Sequence, residues 1–261
     1  MTARTALKTG SALALAVVLA GCTSFYEVPI ETPIQPKLDV TAFQRVLVAG
    51  FISGGTDELD ANLETVRLLR SQLRTKSRLR VIEADVLPLV DVAQNDGRET
   101  EPAAQPPASD GAQALPGRIR NEKDLASYER LFANVDYWKR IGEEFQNPLI
   151  VTGTVLFTPH QRSGFVTREQ EVYDSFGRRR VVPVRTYMER KGFILRPKFI
   201  FIDGRTGTQV YSESFREEIL YNAQQNTPAL SSYFELMDRL IPSFLSTLSA
   251  QKIKGTRVLL K

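Results

Sequence analysis

The chain has 261 residues, 42% of them hydrophobic and 25% charged, with 16 Gly, 14 Pro and a formal net charge of +4. This composition is that of a globular protein and excludes collagen-like, wholly disordered and multi-span membrane chains. One Cys excludes a disulfide framework and a Cys-based zinc site, and one His excludes a His-rich metal centre and leaves little scope for His-dependent catalysis.

Arg4 and Lys8 precede an apolar run from Ser11 to Ala20, followed at once by Leu19-Ala20-Gly21-Cys22. A positive start and a short apolar stretch have the form of a secretory signal, too short for a bilayer span of ~20 residues. The four residues ending at Cys22 resemble the lipobox of bacterial lipoproteins, which implies cleavage between Gly21 and Cys22. It also implies a diacylglycerol on the Cys sulfur and an acyl chain, such as palmitate, on its amine. Thr23 stands where an inner-membrane retention signal would typically place Asp, so the resemblance implies the outer membrane, with the domain facing the periplasm. Residues 1–21 are then signal peptide, and the mature charge falls to +2. Several acyl chains, at ~0.8 kcal/mol per buried CH₂, anchor stably, and Cys22 is expected to be the sole attachment.

Pro29, Pro33 and Pro36 predict a tether over 22–41, of which residues 23–40, in polyproline II form, reach at most ~55 Å. A single α/β domain is expected over 42–261. Gln44 to Phe51 is apolar on both faces, as in a strand covered on both sides. A helix is expected from Glu58 to Thr75, with Leu59, Leu63, Val66, Leu69 and Leu73 on one stripe and Asp57 or Thr56 as its cap. Leu79 to Glu83 is a second strand, parallel to the first. Residues 93–120, with Pro102, Pro106, Pro107 and Pro116, are expected to be a disordered insertion.

Leu125, Tyr128 and Phe132 mark one short helix, and Trp138, Ile141 and Phe145 a second, capped by Asp136 and closed by Pro148. Leu149 to Phe157 is another doubly covered strand. From Gly164 the chain is rich in β-formers, with hairpin turns at Ser175-Phe176-Gly177 and Gly204-Arg205-Thr206-Gly207. A last helix, Ala229 to Ala250, carries Leu230, Phe234, Met237, Ile241, Leu245 and Leu248 on its core stripe and Ser232, Glu235 and Asp238 opposite, with a kink or break at Pro242.

Gly50 and Gly55 have the spacing of a phosphate-binding loop, but Thr56-Asp57 follows where that loop needs Lys and Ser/Thr, so a glycine turn with a capping Asp is expected. No Ser lies in a GxSxG elbow, and His160, beside Pro159, is expected to be a residue of a polar surface loop. No metal-ligand spacing is present. Glu143-Glu144, Glu169/Glu171 and Glu217-Glu218 are acidic pairs of the kind that any solvated surface carries. Two basic clusters are the candidate binding residues: Arg67, Arg70 and Arg74 at helical spacing, and Arg178, Arg179 and Arg180 at a hairpin tip. Either suits an anionic surface, or is solvated charge.

VLVAGF, LIVTGTVLF and FIFIDGRTGTQVYSESF together resemble the periplasmic α/β lipoprotein superfamily that includes the curli-secretion lipoprotein, the penicillin-binding-protein activators and the Tol N-terminal domain. Val151-Thr152-Gly153 and Asp203-Gly204-Arg205-Thr206-Gly207 carry the likeness most clearly. It implies an α/β (α+β) fold: a mixed sheet of about five to seven strands with long antiparallel hairpins and helices on its faces. It also implies no enzymatic activity and no cofactor beyond the lipid on Cys22. Three functions are expected in order: a non-enzymatic adaptor or envelope assembly factor anchored in the outer membrane, a ring-forming curli-type secretion component, and an envelope enzyme using a carboxylate pair. Membrane lipid, envelope proteins and peptidoglycan are the partners such a protein would meet; nucleic acid is not expected. Residues 165–174 alternate with neither side apolar throughout, so the hairpin reads as soluble rather than as a pore strand.

Overall fold

A computed structural model describes residues 25–99 and 118–260. They fall into two compact units, residues 37–249 and the paired chain ends.

The larger unit is a mixed α+β fold. Its sheet runs β3-β2-β4-β5-β6 in order, with β7 also paired to β5. The strands are β2 (Arg45–Gly55), β3 (Arg80–Val81), β4 (Leu149–Tyr173), β5 (Arg179–Asp203), β6 (Gln209–Ser214) and β7 (Glu217–Asn222). β2 lies parallel to β3 and β4; the other pairs are antiparallel. Both faces are covered, as the unbroken apolar runs of β2 and β4 require. On one face, helices α1 (Ala61–Lys76) and α6 (Ala229–Leu248) pack on Val46, Val48, Phe51, Val151, Phe157, Phe199 and Phe201. On the other, α2 (Leu89–Glu99), α3 (Glu122–Ala126), α4 (Glu129–Ala133) and α5 (Val135–Glu144) cover Leu47, Ala49, Ile52, Ile150 and Ile202.

A bulge at Ala49-Gly50 shifts the β2–β4 register between Val48 and Gly50. Before it, even-numbered residues face α1; after it, Phe51 does. Gly50 has φ +146, outside the range of ordinary side chains. Gly50 and Gly55 therefore sit in a strand, not in the expected glycine turn, and the true cap of α1 is Asp60, whose carboxylate accepts from Leu63 N at 3.0 Å. Similarly, Asn134 rather than Asp136 caps α5, accepting from Tyr137 N.

The last helix corrects its predicted stripe. It continues through Pro242, and its buried face centres on Tyr233, Leu236, Met237, Leu240, Phe244 and Leu248. Leu230 is exposed, Phe234 half-buried, and Ser232, expected on the polar side, is buried with its hydroxyl bonded to the Pro228 carbonyl. Met237, Ile241, Leu245 and Leu248 of the expected stripe are buried as predicted, and the buried face is wider, taking in Tyr233, Leu236, Leu240 and Phe244 as well.

The insertion is shorter at its edges than expected. Residues 93–99 continue α2, and Ile119 is buried against the second core; the stretch between lies outside the described residues. The tether is corrected too. β1 (Phe25–Ile34) pairs antiparallel with β8 (Gln251–Leu260), so the chain ends form a two-stranded ribbon and the single-domain reading over 42–261 stops short of β8. Pro29 and Pro33 share one parity in the strand, so both missing N–H groups can face away from β8.

Candidate functional site

β4 and β5 run far past the sheet. β2 leaves β4 at Phe157, and β7 leaves β5 at Arg190, yet the two long strands stay paired out to Tyr173 and Arg179. From Ser163↔Glu189 to the tip this arm is a two-stranded ribbon roughly 35 Å long at ~3.4 Å per residue. Its outer edges are unpaired among the described residues.

The turn is rigid. Asp174 Oδ1 accepts from Phe176 N at 2.9 Å and Arg178 N at 3.0 Å, and Gly177 takes the left-handed conformation at φ +73. This is a three-residue hairpin loop closed by glycine. The backbone N–H of Arg178, with that of Phe176, holds the Asp174 carboxyl below the usual range. Phe176 is 81% exposed at the apex, with the Arg178 guanidinium 5.3 Å from its ring.

The arm has two unlike faces. One carries Phe165 against Tyr187, edge to face at 5.4 Å, with Arg185 stacked over Phe165 at 4.6 Å, and Tyr173 and Val181 beyond. The other carries Val166, Val172, Val182, Val184 and Met188, interrupted by Arg168 and Arg180. Residues 161–191 hold eight Lys/Arg and four Asp/Glu. At the base, Arg162 stands directly opposite Arg190, a like-charge pair that costs stability. The exposed aromatics were not singled out from sequence. Their signal was the period-2 spacing of Phe165 and Tyr173, which the intervening Glu169 and Glu171 obscured.

The predicted basic clusters separate. At the tip, Arg178 bonds Asp174 at 3.0 Å, Arg179 pairs with Glu171 at 2.6 Å, and Arg180 lies 3.9 Å from Asp174. All three stay exposed and share two carboxylates. On α1, Arg67 pairs with Glu64 and Arg74 with Glu83, while Arg70 turns inward to the Val48 carbonyl. The helix cluster is thus not one outward cationic face. Gly21 and Cys22 lie outside the described residues.

The acidic pairs sit on three separate elements: Glu143 and Glu144 exposed on α5, Glu169 and Glu171 on the arm, Glu217 and Glu218 on β7. His160 lies within β4, opposite Gly192, rather than in the expected loop, because the strand continues past Pro159; Glu218 Oε1 lies 3.4 Å from its Nε2. No group of three His, Cys, Asp or Glu suited to a metal occurs among the described residues. A cavity of about 610 Å³ between α3, α4 and β5 is lined by Glu122, Glu129, Arg196, Lys198 and Arg216, and its Lys198–Glu129 pair at 2.8 Å is internally neutralised. No helix among the described residues is long and apolar enough to cross a membrane.

No known family profile and no curated protein matches this chain. Among solved structures it is similar to lipoprotein GNA1162 from Neisseria meningitidis, at 11% identity and TM-score 0.33, over 77% of this chain and 96% of that one. It is also similar to a PDZ domain protein from Parabacteroides distasonis, at 10% identity and TM-score 0.20, over 93% of this chain and 41% of that one. Both scores are too low for either likeness to carry the functional reading, which rests on the arm.

Proposed function

We propose that this protein is a lipoprotein of the bacterial cell envelope, acylated at Cys22 and held at the outer membrane with its domain in the periplasm. It works as a non-enzymatic adaptor that presents the β4–β5 arm to an anionic envelope partner. The single observation behind this is the arm itself. A two-stranded ribbon is marginal in water on its own, yet this one extends past the core with exposed aromatics at its tip and twice as many cations as anions. Such a surface is complementary to an acidic protein face or to peptidoglycan carboxylates.

The test places a photo-crosslinking residue at Phe176 in the acylated protein in its native envelope. A discrete adduct that disappears when Arg178, Arg179 and Arg180 are changed to Glu supports the reading; a tip that labels nothing overturns it. Palmitate labelling that is lost in Cys22→Ser checks the anchor separately.

The unpaired edges of β4 and β5 favour a second reading, a ring in which the β4 edge of one copy adds to the β5 edge of the next, as the resemblance to curli-type secretion proteins implies. That reading requires a large detergent-stable oligomer; a monomer in detergent removes it.

A further inference from the structure

The ribbon of the chain ends has two faces of opposite character. With Tyr26↔Leu259, Val28↔Arg257, Ile30↔Gly255, Thr32↔Ile253 and Ile34↔Gln251 in register, one face gathers Tyr26, Val28, Ile30, Ile34, Ile253 and Leu259. The other carries Glu27, Glu31, Lys252 and Lys254 together with the exposed apolar Val258, and Lys252 is bonded to Glu31 at 3.0 Å. The apolar face is not a core: Tyr26 is 68% exposed and Ile253 57%. An isolated two-stranded ribbon is marginal in water and gains stability when its apolar face packs on something.

We propose that this face lies on a phospholipid bilayer at the boundary between headgroups and acyl chains, with Arg257 bonded to a lipid phosphate, so that Cys22 is not the sole attachment expected from the sequence. Three observations choose lipid over a second copy of the chain. Ten paired residues on two strands offer an apolar face of only roughly 330 Å², well under the ~800 Å² per partner of a stable interface. Arg257 sits within the apolar face and forms no ion pair among the described residues. Two copies stacked face to face would bury that charge against its own like, whereas a phosphodiester neutralises it and the aliphatic stem remains in apolar surroundings. Finally, β1 begins three residues after Cys22, a reach of at most about 10 Å. This last argument rests on the acylation proposed above; the first two do not. Tyr26, at the end nearest that anchor, is the residue type that settles at the headgroup level. The ribbon then lies flat, with Glu31, Lys252 and Lys254 toward water.

The experiment uses the chain from residue 22 onward carrying Cys22→Ser, so that no acyl chain contributes. It is floated with vesicles of phosphatidylethanolamine and phosphatidylglycerol. The expected result is that it floats, and that Ile30→Asp with Ile253→Asp lowers the bound fraction at least about tenfold, the factor for losing one buried apolar side chain. Thr256→Asp with Val258→Asp puts the same charges on the opposite face and keeps flotation. Arg257→Gln weakens binding and flattens its salt dependence. No flotation of the Cys22→Ser chain, or equal loss from both double variants, overturns the proposal. So does a lipid-free dimer abolished by Ile30→Asp in a chain that does not float; that result assigns the face to a second copy. Palmitate labelling of the wild-type chain reports on the anchor independently of all these outcomes.

Discussion

Arg70 donates through Nη2 to the Val48 carbonyl at 2.9 Å, reaching from α1 into the sheet just where the strand bulges. Around it, Leu87 N donates to the Ala49 carbonyl at 2.8 Å, and Phe51 N donates to Asn62 Oδ1 at 2.8 Å. The polar groups displaced by the bulge are each satisfied by a neighbouring element. Burial presses the Arg70 guanidinium below its ordinary pKa. Arg70→Ala is therefore expected to cost about 1–3 kcal/mol, the range for stranding a buried acceptor, while Arg67→Ala and Arg74→Ala, in exposed ion pairs, stay within ~0.5 kcal/mol. Urea unfolding of the three variants decides whether this row is structural or a binding face.

Tyr233 gives the fold an alkaline limit. Its hydroxyl is fully buried 2.5 Å from Thr65 Oγ1 and also donates to the Ala61 carbonyl at 3.3 Å, tying α6 to α1. Burial pushes its pKa well above the ordinary phenol value. A raised folded-state pKa means that the unfolded chain releases the proton first, so stability is intact below pH ~10 and falls as pH rises beyond it. Tyr137, raised by burial in the same direction, adds to the slope. Tyr233→Phe should lose about 1 kcal/mol at neutral pH and show a shallower fall above pH ~10. An unchanged alkaline slope in thermal melts would count against this assignment.

Phe244 is the better probe of the last helix than Phe234. Its ring lies 4.9 Å from Phe199 and 5.9 Å from Phe201, and is buried. Phe244→Ala should cost ~3–5 kcal/mol, Phe234→Ala clearly less, and Leu230→Ser almost nothing. Equal costs at Phe234 and Phe244 would place the helix in a different rotation.

At the β5–β6 turn, Asp203 is almost buried and its carboxylate accepts from Arg205 N, Nε and Nη2 at 2.8–3.1 Å. The Arg205 guanidinium holds that carboxyl below its ordinary range. A lowered folded-state pKa stabilises at pH above ~4 and is lost as pH falls through the folded value. Asp203→Asn should flatten the acid limb of the stability profile below pH ~4 and lower stability at neutral pH. A profile that keeps the wild-type acid slope would locate the titration elsewhere.

The arm should be removable. Joining Arg162 to Arg190 through a short glycine turn discards side chains that are mostly exposed, so the melting temperature is expected to move by only a few degrees, while the Phe176 crosslink is lost. A collapse in solubility would mean that the arm is part of the folding unit.

The fold was largely legible because its central strands are apolar on both faces and its turns carry glycine at the required positions. VLVAGF and LIVTGTVLF announce a covered sheet, and Asp174 to Gly177 announces a hairpin loop. What misled was competition between signals. Pro29 and Pro33 spoke for a tether, although Tyr26, Val28, Ile30 and Ile34 alternate as a strand does. The partner strand lay at the far end of the chain, where no local pattern could reveal it. Arg67, Arg70 and Arg74 share a helix face by spacing alone, but spacing does not tell which of them turns inward. The candidate site was half visible: its cations stood out, and its aromatics were hidden among glutamates.

The pairing of Phe25 with Leu260 also fixes an order of events. β1 precedes every other described element in the sequence, and β8, its sheet partner among the described residues, follows them all. Loop closure across almost the whole chain cannot begin until β8 has emerged. For that interval β1 is an unpaired strand edge with Val28, Ile30 and Ile34 available to any passing chain. A chain cut before Gln251 retains every strand of the central sheet and leaves β1 without its partner.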